Sequence, residues 1–132
     1  MSCIERKTTL RMEIPSLQGK DYTEAFKYFR NILGEPEELD LDEETGEVYY
    51  FSYEGKFQPV YDYSNKKWGA DLILCHSSDY KVYVSSDYER GVTLKEFNML
   101  ADELVGKFGG NKEDIRLLSY EWYNGGDEPV RL

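Results

Sequence analysis

A stretch of 21 residues, EPEELDLDEETGEVYYFSYEG, holds nine carboxylates and no lysine or arginine. Such a run can bind a metal ion, attract a basic partner, or form only the solvated end of a hairpin. Asp40, Asp42 and Glu44 alternate as the first ligands of a calcium loop do. However, Gly46 falls at the seventh position of such a loop instead of the sixth, and Phe51 replaces the glutamate of the twelfth. We therefore predict no metal site and no cofactor.

The same stretch fits a β-hairpin, because leucines alternate with carboxylates before a glycine-bearing turn and aromatic residues follow it. Carboxylates this dense repel one another, so a partner that carries lysine or arginine would relieve the repulsion. We predict that this hairpin forms an interface with a basic protein. The predicted partner-binding residues are Glu37, Glu38, Asp40, Asp42, Glu43, Glu44 and Glu47. The competing interpretation is a solvated ribbon without a binding role.

A second stretch, SYEWYNGGDEP, places a carboxylate among aromatic residues. Strand alternation puts Glu121 on the same face as Tyr123. Aromatic walls attract a cation through their π-systems and a carboxylate supplies the countercharge, so this chemistry suits a cationic, lipophilic small molecule. The alternative ligand-binding residues are Tyr50, Tyr83, Glu121 and Tyr123. An edge glutamate exposed to water is the competing explanation.

No pair of nucleophile and base suited to catalysis is evident in the sequence. His76 is the single histidine and follows Cys75 on a predicted strand, so the two side chains project from opposite faces. The glycine-rich GKFGGNK follows a predicted helix instead of opening one, which is typical of a helix end and not of a phosphate-binding loop. We expect a protein without enzymatic activity and a structural role for His76.

The net charge of −10 is unevenly distributed. Residues 1–34 carry six basic and four acidic side chains, a net of +2, so the other 98 residues carry −12. An acidic surface repels phosphate backbones and attracts basic proteins. We therefore expect a basic protein partner and no direct binding of nucleic acid.

The length of 132 residues fits one domain, residues 1–132. No apolar run approaches membrane-spanning length, and MSCIERKTTL lacks the apolar segment of a signal peptide. Two cysteines, Cys3 and Cys75, are too few for a disulfide framework, although a bridge between them stays open. We expect a reduced, cytoplasmic protein that does not bind membranes.

Two amphipathic helices are predicted, DYTEAFKYFRNILG with Asp21 as N-cap and TLKEFNMLADELVGKFGG with Thr93 as N-cap. Strands are predicted for TTLRMEI, ELDLD, EVYYFSY, ADLILCHS, YKVYVSS, IRLLSYEWY and EPVRL. FQPVYDY contains Pro59, which favours an edge strand or a loop. These elements predict an α+β fold in which an antiparallel sheet of about six to eight strands carries two helices on one face.

The order strand, helix, strand, strand occurs twice, in residues 8–55 and 70–132, and indicates a duplicated module. Across residues 8–132 this order resembles that of gyrase-inhibitor-like effector domains, and the resemblance implies binding of cationic, lipophilic small molecules. The residues themselves favour another function. They predict an inhibitor or immunity-type protein that blocks a basic protein or a nucleic-acid-handling enzyme, with carboxylates that imitate phosphates. A small-molecule domain with a tyrosine-lined pocket is the alternative.

Overall fold

A computed structural model of the chain describes residues 4–76, 81–82, 92–123 and 130–131, with the backbone alone at 4–6, 81–82, 120–123 and 130–131. The strands are β1 (Ile4–Glu13), β2 (Glu38–Leu41), β3 (Val48–Ser52), β4 (Phe57–Asp62), β5 (Lys67–His76), β6 (Lys81–Val82), β7 (Arg116–Tyr123) and β8 (Val130–Arg131). The helices are α1 (Tyr22–Leu33) and α2 (Leu94–Phe108), and short 3-10 turns occupy Pro15–Leu17 and Lys112–Asp114.

Six strands form one antiparallel sheet in the order β4-β5-β1-β7-β8, with β6 paired to the end of β5. β2 and β3 form a separate two-stranded sheet. The predicted α+β class is confirmed, with two helices and a strand number at the low end of the predicted range. β4 lies at an edge of the described sheet, beside β5. Pro59 has no backbone N–H, and at an edge no second neighbouring strand needs that donor.

Both helices begin at the predicted N-caps. The Asp21 carboxylate accepts a hydrogen bond from the backbone N–H of Glu24 at 2.9 Å. In α2 the Thr93 hydroxyl accepts from the backbone N–H of Glu96 at 3.1 Å, and the Glu96 carboxylate accepts from the Thr93 N–H at 3.4 Å, which completes a capping box. Gly109 ends α2 in the left-handed conformation with φ 70°, which glycine adopts without strain.

We expect Thr93→Ala to lower the free energy of unfolding by about 1 kcal/mol, because the Glu96 N–H loses its side-chain acceptor. Thr93→Ser is the matched control, since serine keeps the hydroxyl and should retain most of the stability. Urea denaturation of the two variants measures the difference. Equal stability of the alanine and serine variants would contradict the capping role.

The hydrophobic core lies between the two helices and one face of the main sheet. Leu10 of β1 pairs with Leu72 of β5, and both side chains are fully buried on that face. Phe29 of α1 is fully buried and contacts Phe108 of α2, with ring centroids 6.0 Å apart. The helix stripes and the apolar face of the sheet therefore belong to one core cluster.

Candidate binding surface

An aromatic residue at the centre of the β2–β3 hairpin fixes the hairpin to the core. Phe51 stacks on Trp68 of β5, with ring centroids 6.0 Å apart and an interplanar angle of 12°, and meets Tyr22 edge-on at 5.9 Å. The Thr23 hydroxyl accepts a hydrogen bond from the Val48 N–H at 2.9 Å, which joins the start of β3 to α1. The hairpin therefore presents its outer residues from a defined position.

A β-bulge in the hairpin turns two consecutive tyrosines toward solvent. Asp40 lies opposite Tyr50, and the next pair of opposed residues skips Tyr49. As a result, Tyr49 and Tyr50 are 52% and 48% exposed, whereas Phe51 is buried. Strict alternation predicts Tyr49 on the same face as Phe51, and this prediction is wrong because the bulge adds one residue to β3.

The predicted partner-binding carboxylates fall into two groups. Glu37 and Asp42 stabilise the hairpin itself: Glu37 accepts a hydrogen bond from the Glu54 N–H at 3.0 Å, and Asp42 accepts from the Glu44 N–H at 2.8 Å inside the turn. The other five are exposed, and within the described part of the chain their carboxylates have no hydrogen bond or ion pair. These five, the hairpin carboxylates, are Glu38, Asp40, Glu43, Glu44 and Glu47.

A groove of about 250 Å³ lies between β3 and the edge strand β4. Tyrosines form its walls and a tryptophan contacts them: the Trp68 ring centroid lies 4.7 Å from that of Tyr61 and 5.1 Å from that of Tyr22. We call this cavity the tyrosine groove, and the lining residues that matter below are Tyr22, Tyr50, Ser52, Tyr61, Tyr63 and Trp68. The side chains come from α1, three strands and a turn, so tertiary packing alone assembles them.

The polar groups of the tyrosine groove are hydroxyls. The Tyr22 and Tyr63 hydroxyls share a hydrogen bond, and burial together with this bond raises the pKa of Tyr22 well above its usual range. The Tyr22 hydroxyl therefore stays protonated at physiological pH. The Ser52 hydroxyl oxygen is buried, and no described residue forms a hydrogen bond with it.

Two of the hairpin carboxylates, Asp40 and Glu38, project from the same face of β2–β3 as two residues that line the tyrosine groove. Asp40 lies directly opposite Tyr50, and Glu38 lies opposite Ser52. Residues that oppose each other in an antiparallel pair project from the same face of the sheet. Two exposed carboxylates therefore stand beside two residues that line the groove.

The four residues of the alternative ligand-binding set occupy different parts of the chain. Tyr50 lines the tyrosine groove. Glu121 and Tyr123 belong to β7, which β5 and β1 separate from β4, and their side chains lie outside the described part. Tyr83 lies outside the described residues altogether. The site predicted around Glu121 therefore stays a prediction.

The remaining candidates for chemistry lie at the end of β5. His76 is its last residue and is half-buried, and Cys75 is buried. Cys3 lies outside the described residues, so its bridge to Cys75 stays a prediction. Among the described residues, no three histidine, cysteine, aspartate or glutamate side chains converge as metal ligands would. In the same part of the chain, neither helix reaches the length and apolarity that crossing a bilayer requires.

A buried ion pair on the opposite face of the main sheet was missed by the sequence reasoning. Arg11 donates two hydrogen bonds to the fully buried Asp71 carboxylate, at 2.7 and 2.9 Å. Nearby, Lys7 donates to Gln58 at 3.3 Å, and burial lowers the Lys7 pKa although the Asp71 charge opposes this shift. The only signal in the sequence is a single acid within the apolar run ADLILC.

Comparison with known proteins identifies no relative of the chain. No protein-family model matches it, and neither the curated proteins nor the solved structures contain a match. The likeness to gyrase-inhibitor-like domains therefore rests on the order of elements, which carries no function by itself.

Proposed function

We propose that this chain is a non-enzymatic acidic binding protein of the inhibitor or immunity type. In this proposal the β2–β3 hairpin docks on a basic protein or on a nucleic-acid-handling enzyme in the cytoplasm. The hairpin carboxylates occupy a lysine- and arginine-lined surface that otherwise holds phosphates, and the partner is blocked by occlusion.

The supporting observation is the group of five exposed carboxylates, held on one anchored hairpin, that have no partner among the residues the structure describes. Carboxylates needed only for folding have local partners, as Glu37 and Asp42 do. A neighbouring tyrosine, Tyr50, remains about half exposed beside the hairpin carboxylates. Tyrosine is enriched in protein interfaces because its ring supplies contact area and its hydroxyl a hydrogen bond.

A second candidate function is the binding of a cationic, lipophilic small molecule. The tyrosine groove favours it, because the cavity is concave, its walls are aromatic and carboxylates stand at its side. Under this alternative the occupant is a free compound, and the hairpin carboxylates outside the groove contribute little to its affinity.

Charge reversal on the hairpin tests the leading function. We expect the combined change Glu43→Lys, Glu44→Lys and Glu47→Lys to abolish capture of the basic partner from the native host at low salt. The three glutamates no longer attract the basic partner as it approaches or contact it once it is bound, and the three new positive charges repel it. Pull-down with quantitative mass spectrometry at low and high salt measures the loss, and capture by the unmodified protein should itself weaken as salt rises.

A matched control changes charge elsewhere. Asp102 is exposed on α2, where it pairs with Lys112 at the surface, and Glu113 and Asp114 are exposed in the following 3-10 turn. Changing these three acids to Lys reverses the same number of charges as the hairpin variant without touching the hairpin. This control should keep most of the capture. If control and hairpin variants lose the partner equally, only overall charge matters and the assigned surface is wrong.

A separate proposal concerns how the fold arose. We propose that residues 8–55 and 70–132 descend from one duplicated module, because each half carries a capped helix that ends at a glycine.

A further inference from the structure

We infer that the tyrosine groove receives an arginine side chain of the basic partner. This inference deepens the function proposed above and rests on it: the hairpin carboxylates attract the partner, and the groove holds one of its side chains. The occupant is specified as a guanidinium group on a protein, not as a free small molecule.

Charge and ring geometry together favour a cation in the groove. Tyr61 lies tilted against Trp68 and edge-on to Tyr63, so several aromatic faces and edges border one cavity. Aromatic faces attract cations, and the attraction grows when water is excluded. Asp40 stands opposite Tyr50 at the side of the groove and supplies the countercharge. An uncharged apolar occupant would leave that carboxylate unused.

The size of the groove argues for a single side chain. Its volume of about 250 Å³ falls below the roughly 300–1,000 Å³ of cavities that enclose drug-sized ligands. A side chain anchored through its own backbone needs only a cavity that accepts its end. Asp40 and Glu38 lie opposite the lining residues Tyr50 and Ser52, so the body of a protein partner whose side chain fills the groove would lie near these carboxylates.

The hydroxyl groups favour arginine over lysine. A guanidinium is planar, stacks on aromatic rings and offers five N–H donors in a fixed arrangement. The Tyr22 and Tyr63 oxygens, which line the groove, keep acceptor capacity beyond their mutual hydrogen bond. These oxygens lie among the rings that would stack on the guanidinium, so one group satisfies both kinds of contact.

A capped hexa-arginine peptide is the probe, and two neighbouring tyrosines provide the matched pair. Tyr50 lines the groove whereas Tyr49 does not, and their exposures are nearly equal. We expect Tyr50→Ala to weaken binding of the peptide about five- to tenfold, Tyr50→Phe to keep most of the affinity, and Tyr49→Ala to change it less than about twofold. Calorimetric titration at low salt measures the affinities, and circular dichroism checks that each variant is folded.

Site-specific readouts complete the test. The Trp68 indole N–H resonance should shift with hexa-arginine and stay in place with hexa-citrulline, which has nearly the same shape without the charge. Equal affinities of Tyr50→Ala and Tyr49→Ala, or a Trp68 resonance unmoved by hexa-arginine, would overturn the inference. If the groove results are negative but the hairpin charge reversal still abolishes binding of hexa-arginine, the inference about the groove is wrong and the proposed function stands. If the hairpin charge reversal leaves the affinity for hexa-arginine unchanged, the hairpin carboxylates do not attract a basic partner and the proposed function itself is wrong.

Discussion

Replacement of Phe51 with alanine is expected to lower the free energy of unfolding by about 3–5 kcal/mol. Phe51 is buried and joins the β2–β3 hairpin to the rest of the molecule. It contacts five aromatic rings, with centroids at distances between 5.4 and 6.3 Å, those of Tyr22, Phe26, Phe29, Tyr53 and Trp68. Alanine removes all these contacts and leaves a cavity between the hairpin and the rest of the core.

Urea denaturation measures the effect of Phe51→Ala on the free energy of unfolding, and Tyr49→Ala in the same strand is the control. Tyr49 is 52% exposed, so its truncation should change the unfolding free energy by less than about 0.5 kcal/mol. At temperatures where Phe51→Ala remains folded, it should also bind the basic partner more weakly, because the hairpin carboxylates lose their fixed position. Similar stabilities of the two variants would show that the hairpin is not held by its ring contacts.

The second large effect concerns the buried ion pair on the other face of the sheet. We expect Arg11→Met to lower the free energy of unfolding by about 3–5 kcal/mol, since the Asp71 carboxylate stays buried after losing two charge-assisted hydrogen bonds. The cost comes from the uncompensated charge of a fully buried carboxylate, not from lost contact area. Lys7 attracts Asp71 from nearby and replaces only part of the lost interaction.

The double variant Arg11→Met with Asp71→Leu is the control for this prediction. Removal of both charges eliminates the uncompensated carboxylate, so the double variant should be more stable than Arg11→Met alone. Thermal unfolding of the four proteins of this cycle gives the coupling between the two residues. If the double variant is no more stable than Arg11→Met, the loss is one of packing and not of charge.

Local chemistry made the helices predictable from sequence. The N-caps Asp21 and Thr93 form side-chain hydrogen bonds with residues three positions later. Gly109 ends α2 with a φ angle that glycine favours. Leu94 shows the limit of the method. Helical spacing predicts it on the apolar stripe of α2, yet it is the first residue of the helix and is 78% exposed.

The hairpin was predictable in outline and not in detail. Its turn and its strands follow from the spacing around Gly46, but one extra residue in β3 reverses the direction of Tyr49. The alternation of polar and apolar residues in β2 and β3 also does not indicate that this hairpin forms a sheet separate from the main one. Strand patterns report which face is buried and do not report which strand lies alongside.

The tyrosine groove was beyond sequence reasoning for a different reason. Its residues come from segments between Tyr22 and Trp68 that meet only through tertiary packing, and no local spacing relates them. The sequence named Tyr50 as a candidate but grouped it with Tyr83, Glu121 and Tyr123, none of which lines the groove as the structure describes it. The hairpin carboxylates were identified because nine acids within 21 residues are conspicuous in any conformation.

The location of a bound cation tests the binding surface most directly. We propose a two-dimensional amide NMR titration of the full chain with capped hexa-arginine at low salt, with hexa-citrulline as the neutral control. The expected result is a set of shifts concentrated in residues 37–54 and in Tyr22, Tyr61 and Trp68, which disappears as salt rises. Shifts spread evenly over all acidic residues, or centred on a part of the surface away from the hairpin and the groove, would contradict the proposed function.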